Sequence, residues 1–397
     1  MSCPYSGSDA ELADAAADGS TTTTEKPASK KFRRGGKGDT ITRADEGFFG
    51  PDSVAWKVWT YPASALQGFF RAVTIEHLDP DLVAAVDASG QVIKRMPVRY
   101  DRTMEYFAAV TFADAQTVTR MSDILMKVHD RSYGVNPVTG NNYEANKPSS
   151  QLWILVTAWH SILYVYEKFG PGKLSRDEEN EYWAQMSIAA QFQPIDLDDV
   201  PKTRGEVQAY LDSWREKLSA SEAAVYNISE ILDAFENAFV DLPKPLRVVA
   251  RPLFRRSVIA TYPHWMRGMA GLKQSKAMDA AMFALWKPIL SAFHRSPSAL
   301  MWIVHRICPR AERYIEPAIR KIPAESPRVY TPEVARRMFG NPKTPREQRE
   351  DLLKLRAEGK GQKAYGHNHE DTILEFKNAE SEATTEETLS SDGYKVG

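Results

Sequence analysis

RMPVRYDRTMEYFAAVTF (95–112), TRMSDILMKVHDRSYG (119–134) and, after a loop ending NNYEANKPSS (141–150), QLWILVTAWHSILYVYEKF (151–169) decide the fold. Each run carries apolar residues at helical spacing, so three consecutive helices are expected. On the first, Arg99, Thr103, Tyr106 and Val110 share a face, with Arg102 beside it. Val118, Ser122, Leu125 and His129 form a core-directed stripe on the second, ending in an imidazole near the C-terminal end. The third groups Trp153, Thr157, His160 and Tyr164. It is apolar almost all round, which predicts burial on every side, so its polar side chains must find partners inside the protein.

Outside this block the chain reads as further helices. FFGPDSVAWKVW begins near Phe48, with Pro51 and Asp52 or Ser53 as a helix start. Leu66, Phe69, Phe70 and Val73 mark a buried helix running to His77, a histidine assigned to the core or the surface and not to a ligand set. Ala88 to Gln91 reads as a turn. Ser175 and Glu178 have capping-box spacing, and helices follow from about Arg204 to Lys217, over SEAAVYNISEILDAFENAF, broken by Pro243 and Pro245, and over AMDAAMFALWKPILSAF. Strand signals are sparse, with no sustained alternation and no Asn-Gly turn. About ten to twelve helices are expected, making an all-α fold.

Three regions follow: a disordered N-terminal arm over 1–45 with a basic cluster from Lys30 to Gly38, one large helical domain over 46–343, and a charged, largely disordered tail over 344–397. The 397 residues, 43% hydrophobic, supply ample core material. With 51 basic and 52 acidic side chains, no overall field favours nucleic acid. Cys3 and Cys308 are too few for a disulfide framework. No signal core or membrane-spanning run is present, so a cytoplasmic location is expected, with peripheral membrane contact left open.

No phosphate-binding loop and no Gly-x-Ser-x-Gly elbow occurs. The His367–His369 tract sits in the charged tail and reads as solvated. What remains is imidazole and arginine in an apolar helical interior. His129 reads either as a metal ligand or as a satisfied core histidine. Arg99 and Arg102 read either as cationic partners of a bound group or as surface ion-pairing residues.

At these residues the chain resembles the haem-containing oxygenases that include the latex-clearing, or rubber-oxygenase, proteins and the fungal MpaB-type oxygenases. The resemblance spans about Gly50 to Gly340. Its carriers are GPDSVAWKV (50–58), Arg99 with Arg102-Thr103, VHDRSYG (128–134), YEAN (143–146), Leu152-Trp153, YEKFG (166–170), LSRDEENEYW and YPHWMRG. It implies an all-helical domain enclosing a buried haem b. His129 would then be the proximal iron ligand, with Arg99, Arg102 and Thr103 near the haem. Arg102 stands where the rubber-cleaving branch has a lysine, and a guanidinium cannot serve as a deprotonated base. Leu155 stands where many relatives place a histidine, and His160 where an acidic residue is common.

The resulting expectation is a haem b-dependent oxygenase that uses dioxygen on an unsaturated hydrophobic substrate, isoprenoid- or lipid-like. His129 holds the iron, while Arg99, Arg102 and Thr103 are the catalytic polar group. Thr157 and His160 line the cavity, and Met282 to Phe293 line a substrate channel. Two alternatives remain open: a non-haem iron enzyme using His129, His160 and Asp130 or Glu181, and a non-catalytic helical haem or lipid carrier.

Overall fold

The computed structural model describes residues 42–87, 96–233, 243–362 and 364. By its contacts the chain divides after Thr40, and everything described belongs to the second unit. The basic cluster, the Ala88–Gln91 turn and the His367–His369 tract lie outside the described residues. Sixteen α-helices are present among the described residues, and the fold is mainly all-α. More helices are found than the apolar pattern suggests because several run for only two or three turns. α1 (Val54–Trp59) starts at Ser53, whose side chain accepts from Trp56 N. A π-helical turn, Ser64–Gly68, leads directly into α2 (Phe69–Glu76). There follow α3 (Pro80–Asp87), α4 (Met96–Phe112) and α5 (Ala115–Asp130).

A two-stranded antiparallel ribbon, β1 (Tyr133–Val135) and β2 (Asn142–Glu144), interrupts the helices. Its register pairs Gly134 with Tyr143. The helical reading ran through Tyr133 and Gly134. The helix in fact ends at Asp130, where Ser132 N bonds back to the His129 carbonyl at 3.0 Å.

α6 (Pro148–Phe169) is the axis of the fold. Trp153, Leu155, Trp159, Ile162, Leu163 and Phe169 are all at most 1% exposed. Trp159 meets Trp59 and Tyr182 edge-on or tilted, and Trp153 stacks on Trp214 at 4.4 Å. The π turn and α2 lie along this axis. Gly68 makes the approach possible, since a Cβ there would sit 2.8 Å from Val165 Cγ2 and 3.3 Å from Ile162 Cα.

α7 (Arg176–Ala190) opens with the Ser175/Glu178 capping box in full. After it come α8 (Arg204–Ser213), α9 (Glu222–Asp233), α10 (Lys244–Ala260), α11 (His264–Met269) and α12 (Lys276–His294). The expected channel helix, Met282 to Phe293, is largely a surface helix. It buries Met282 and Leu290 but leaves Leu285 38% exposed.

α13 (Pro297–Ile307), α14 (Glu312–Arg320), α15 (Pro332–Phe339) and α16 (Pro345–Ala357) complete the chain. Both expected domain limits move outward. Arg43 and Asp45 are buried, and Asp45 Oδ1 accepts from Ala115 N at 2.8 Å. At the other end Thr344, the expected first residue of a tail, caps α16 in a second capping box. α16 packs on α5, where Arg356 bonds the Asp130 carboxylate at 2.5 Å. Charge had suggested disorder here, but the charges are partners for the outer face of α5.

Candidate functional site

His129 lies in the last turn of α5, and three segments meet around it. Tyr106 on α4 and Ser122 on α5 both donate to the Phe192 carbonyl, at 3.1 and 2.8 Å. Next in sequence, Gln193 Nε2 donates to Gln151 Oε1 at 2.7 Å. Gln151 Nε2 in turn donates to Ala145 O at 2.5 Å, and faces His129 Nδ1 at 3.4 Å. The polar faces expected on the first two helices therefore converge on one segment that periodicity could not reveal, residues 192–193 after α7. Asn146, from the YEAN run, ties the loop to α5 through Nδ2 to Met126 O at 2.9 Å.

Because both ends of the Gln151 amide are occupied, its orientation is fixed by the network. An N–H therefore faces Nδ1 of His129, which places the ring proton on Nε2. Burial, with a smaller push from the Arg99 charge, lowers the His129 pKa to about 4. The imidazole is neutral at pH 7.

His77, the C-cap of α2, is a second imidazole in the same field. It is 5% exposed, and burial and Arg99 together lower its pKa to about 4. Its Nδ1 is 2.7 Å from Val73 O, so Nδ1 carries the proton and Nε2 presents a lone pair. Nε2 is buried and has no hydrogen-bond partner. Gln193 Oε1 shares that condition, whereas the Asn146 side chain hydrogen-bonds His129 and partly offsets the lowering of its pKa.

Thr157 and His160 lie farther along α6 than His129's partner Gln151. Thr157 Oγ1 donates to Glu76 Oε1 at 2.9 Å, and burial raises the Glu76 carboxyl to about 8. His160 Nδ1 is 3.5 Å from Arg71, which is itself buried and bonded to Ser161 and to Thr261 O. Burial first, and then Arg71, holds His160 well below its usual pKa. These two residues therefore belong to the α2–α6 seam. On α4, Thr103 returns its hydroxyl to Arg99 O at 2.9 Å, and Arg102 and Thr103 are both partly exposed. The other side of α4 binds α14 and its approach: Asp101 accepts from Arg310 N at 3.1 Å, and Glu105 pairs with Arg313.

The non-haem iron set does not assemble. Asp130 is committed to Arg356, and Glu181 accepts from Val54 N at the start of α1. Among the described residues no three His, Cys, Asp or Glu side chains could hold a metal ion together. Sequence reasoning missed Gln151, Gln193 and Asn146 and set His77 aside. Gln151 and Asn146 stood inside the quoted stretches, but only the folded loop shows what they touch. A small cavity of about 10 Å³, walled by Thr74, Leu78, Ile228 and Tyr262, adjoins α2 and is the size of one water.

The described helices thus hold two buried imidazoles, His77 and His129, that are neutral at pH 7. The family model described as ER-bound oxygenase mpaB/B'/rubber oxygenase, catalytic domain, matches residues 56–292, and the chain belongs to this family. The match begins inside α1 and ends in α12, within the Gly50–Gly340 span of the sequence resemblance. Neither a curated protein nor a solved structure matches the chain. No helix among the described residues is long and apolar enough to cross a membrane.

Proposed function

We propose that the chain is a haem b-dependent oxygenase acting on an unsaturated hydrophobic substrate of isoprenoid or lipid type. The observation that carries this reading is the pair of buried imidazoles, His77 and His129, both neutral at pH 7 and both under the charge of Arg99. A neutral imidazole is the ligand state that haem iron requires. Membership of an oxygenase family supports the reaction class.

Binding iron through Nε2 would require His129 in its other tautomer, with the ring proton moved to Nδ1 and the Gln151 hydrogen bonds rearranged to accept it. Arg99 would neutralise a propionate. Thr103 and Arg102, on the same end of α4, would orient polar atoms near the reacting centre. When bound, haem supplies the activation of dioxygen; the protein supplies orientation and exclusion of water. The aromatic and aliphatic faces of α4, α5 and α6 make the surroundings apolar, as a hydrocarbon substrate needs.

The test is haem content, measured as iron and porphyrin per chain. His129→Ala should lose stoichiometric haem and, with it, oxygen uptake on polyisoprenoid or unsaturated lipid. Full haem content in a folded H129A protein would overturn the ligand assignment.

A further inference from the structure

We propose that α10 and α12 form a face that docks on an anionic lipid surface; the proposal goes beyond the haem reading and does not depend on it. Charge carries the first part of the argument. The chain as a whole is balanced, with 51 basic and 52 acidic side chains. Between Lys244 and Ile307, by contrast, eleven Lys or Arg stand against one carboxylate, Asp279, and that one is buried and held by Arg267 at 2.8 Å. Lys244, Arg256, Lys273, Lys276, Lys287 and Arg295 are exposed, and none of them forms an ion pair with a described residue. A region of one sign in a neutral chain makes a local field that the overall charge hides.

The same surface is apolar. On α10, Pro245, Val249, Pro252 and Arg256 are exposed at helical spacing, opposite Phe254, whose ring meets Phe70 of α2 at 5.1 Å. Leu246, Val248 and Val249 are 57, 64 and 58% exposed. On α12, Ala277, Ala281, Ala284, Pro288 and Arg295 are exposed in the same way, opposite Phe283, whose ring meets Phe169 of α6 at 5.1 Å. The two helices pack on each other and turn these inner sides to the core, so their outer sides form one surface of aliphatic residues interspersed with cations. α13, packed on α12, adds Trp302, 38% exposed, with the Arg306 guanidinium 4.0 Å from its ring. Clustered exposed aliphatic side chains mark an interaction site. Interleaved with Lys and Arg, they are what a helix lying in a bilayer interface presents: the apolar groups enter the acyl boundary while the cations meet anionic headgroups. Nucleic acid would use the cations but leave Leu246, Val248 and Val249 in water, and a second copy of the chain would set like charge against like.

The experiment is flotation of the full chain with vesicles of phosphatidylcholine alone and of phosphatidylcholine mixed with phosphatidylserine. Wild type should float with the anionic vesicles, stay behind with the neutral ones, and be released by raised salt. Lys244→Gln with Arg256→Gln should weaken the anionic partition roughly 25-fold, about fivefold for each charge removed. Val248→Ser with Val249→Ser keeps every charge and should weaken it about tenfold or more. All four side chains are exposed, so thermal melts followed by circular dichroism should match wild type. Lys354→Gln, an exposed charge on α16, should leave the partition unchanged. A wild type that ignores anionic vesicles, or a valine variant that binds them as well as wild type, overturns the proposal. So does duplex DNA that binds the same cations more tightly than the vesicles do, and so does a dimer in solution that V248S/V249S dissolves while vesicles go unbound. Haem content is read on the same preparations, and either reading can fail alone.

Discussion

Glu76 shows what a single residue carries here. It is 5% exposed on α2, its carboxyl receives only the Thr157 hydroxyl among the bonds found, and burial raises its pKa to about 8. The folded pKa lies above the unfolded value of 4.5, so the native state holds a proton that the unfolded chain releases. The associated stability is fully present below pH 4.5 and is lost as pH rises through about 8, up to roughly 5 kcal/mol in all. Glu76→Gln should therefore match wild type at pH 4.5 and exceed it increasingly towards pH 8. Urea unfolding across that range checks this, and parallel curves would contradict it. For His77 the sign is opposite: its pKa falls from 6.5 to about 4, so its contribution is present above pH 6.5 and lost as pH falls through 4. Residue roles were the least legible feature of the sequence. His129 and Arg99 stood out because imidazole and guanidinium are rare on core faces. His77 did not, because its significance lies in an unsatisfied nitrogen, and satisfaction is a property of neighbours. Thr157 and His160 meet the same limit: periodicity placed them on one face of α6 but could not say that Glu76 and Arg71 stand opposite.

Elements were read more securely. The three helices of the organising stretch exist as α4, α5 and α6, and the Ser53 cap and the Ser175 capping box are as the sequence implied. Strong periodicity and local capping chemistry need no tertiary information. Two features escaped. The small ribbon depends on the fit of Tyr143 beneath Gly134, not on strand propensity. α16 is charged on most positions, and its stability comes from Arg349 and Arg356 meeting Glu144 and Asp130. Arg356→Ala should leave Asp130, 3% exposed, without its partner and cost about 2 kcal/mol. It should also loosen the helix end that bears His129, measured as faster haem loss to an apoprotein acceptor; unchanged loss would separate α16 from the site. Gly68→Ala tests the α2–α6 seam. The added methyl meets Val165 and the backbone at Ile162, so a loss of about 1–3 kcal/mol is expected in chemical denaturation. A neutral result would mean that the seam can open without cost.

At the scale of the whole molecule, the described helices gather around α6, with the candidate site where α4, α5, the start of α6 and the 192–193 segment come together. Class and architecture were legible because the hydrophobic pattern is helical throughout and one helix is apolar on every side. The family match over 56–292 covers the elements that build this site, from α1 to α12, and α16 lies beyond it. Beyond the matched range, α16 braces α5 through Arg356 and Asp130. The central claim is that His129, at the end of α5, holds haem iron. It is tested most directly by the visible absorption spectrum of the full chain supplied with haem, oxidised and then dithionite-reduced, with iron quantified against protein. A Soret band that shifts on reduction, with close to one iron per chain, is the predicted result. A haem-supplemented protein with neither Soret band nor iron would contradict it.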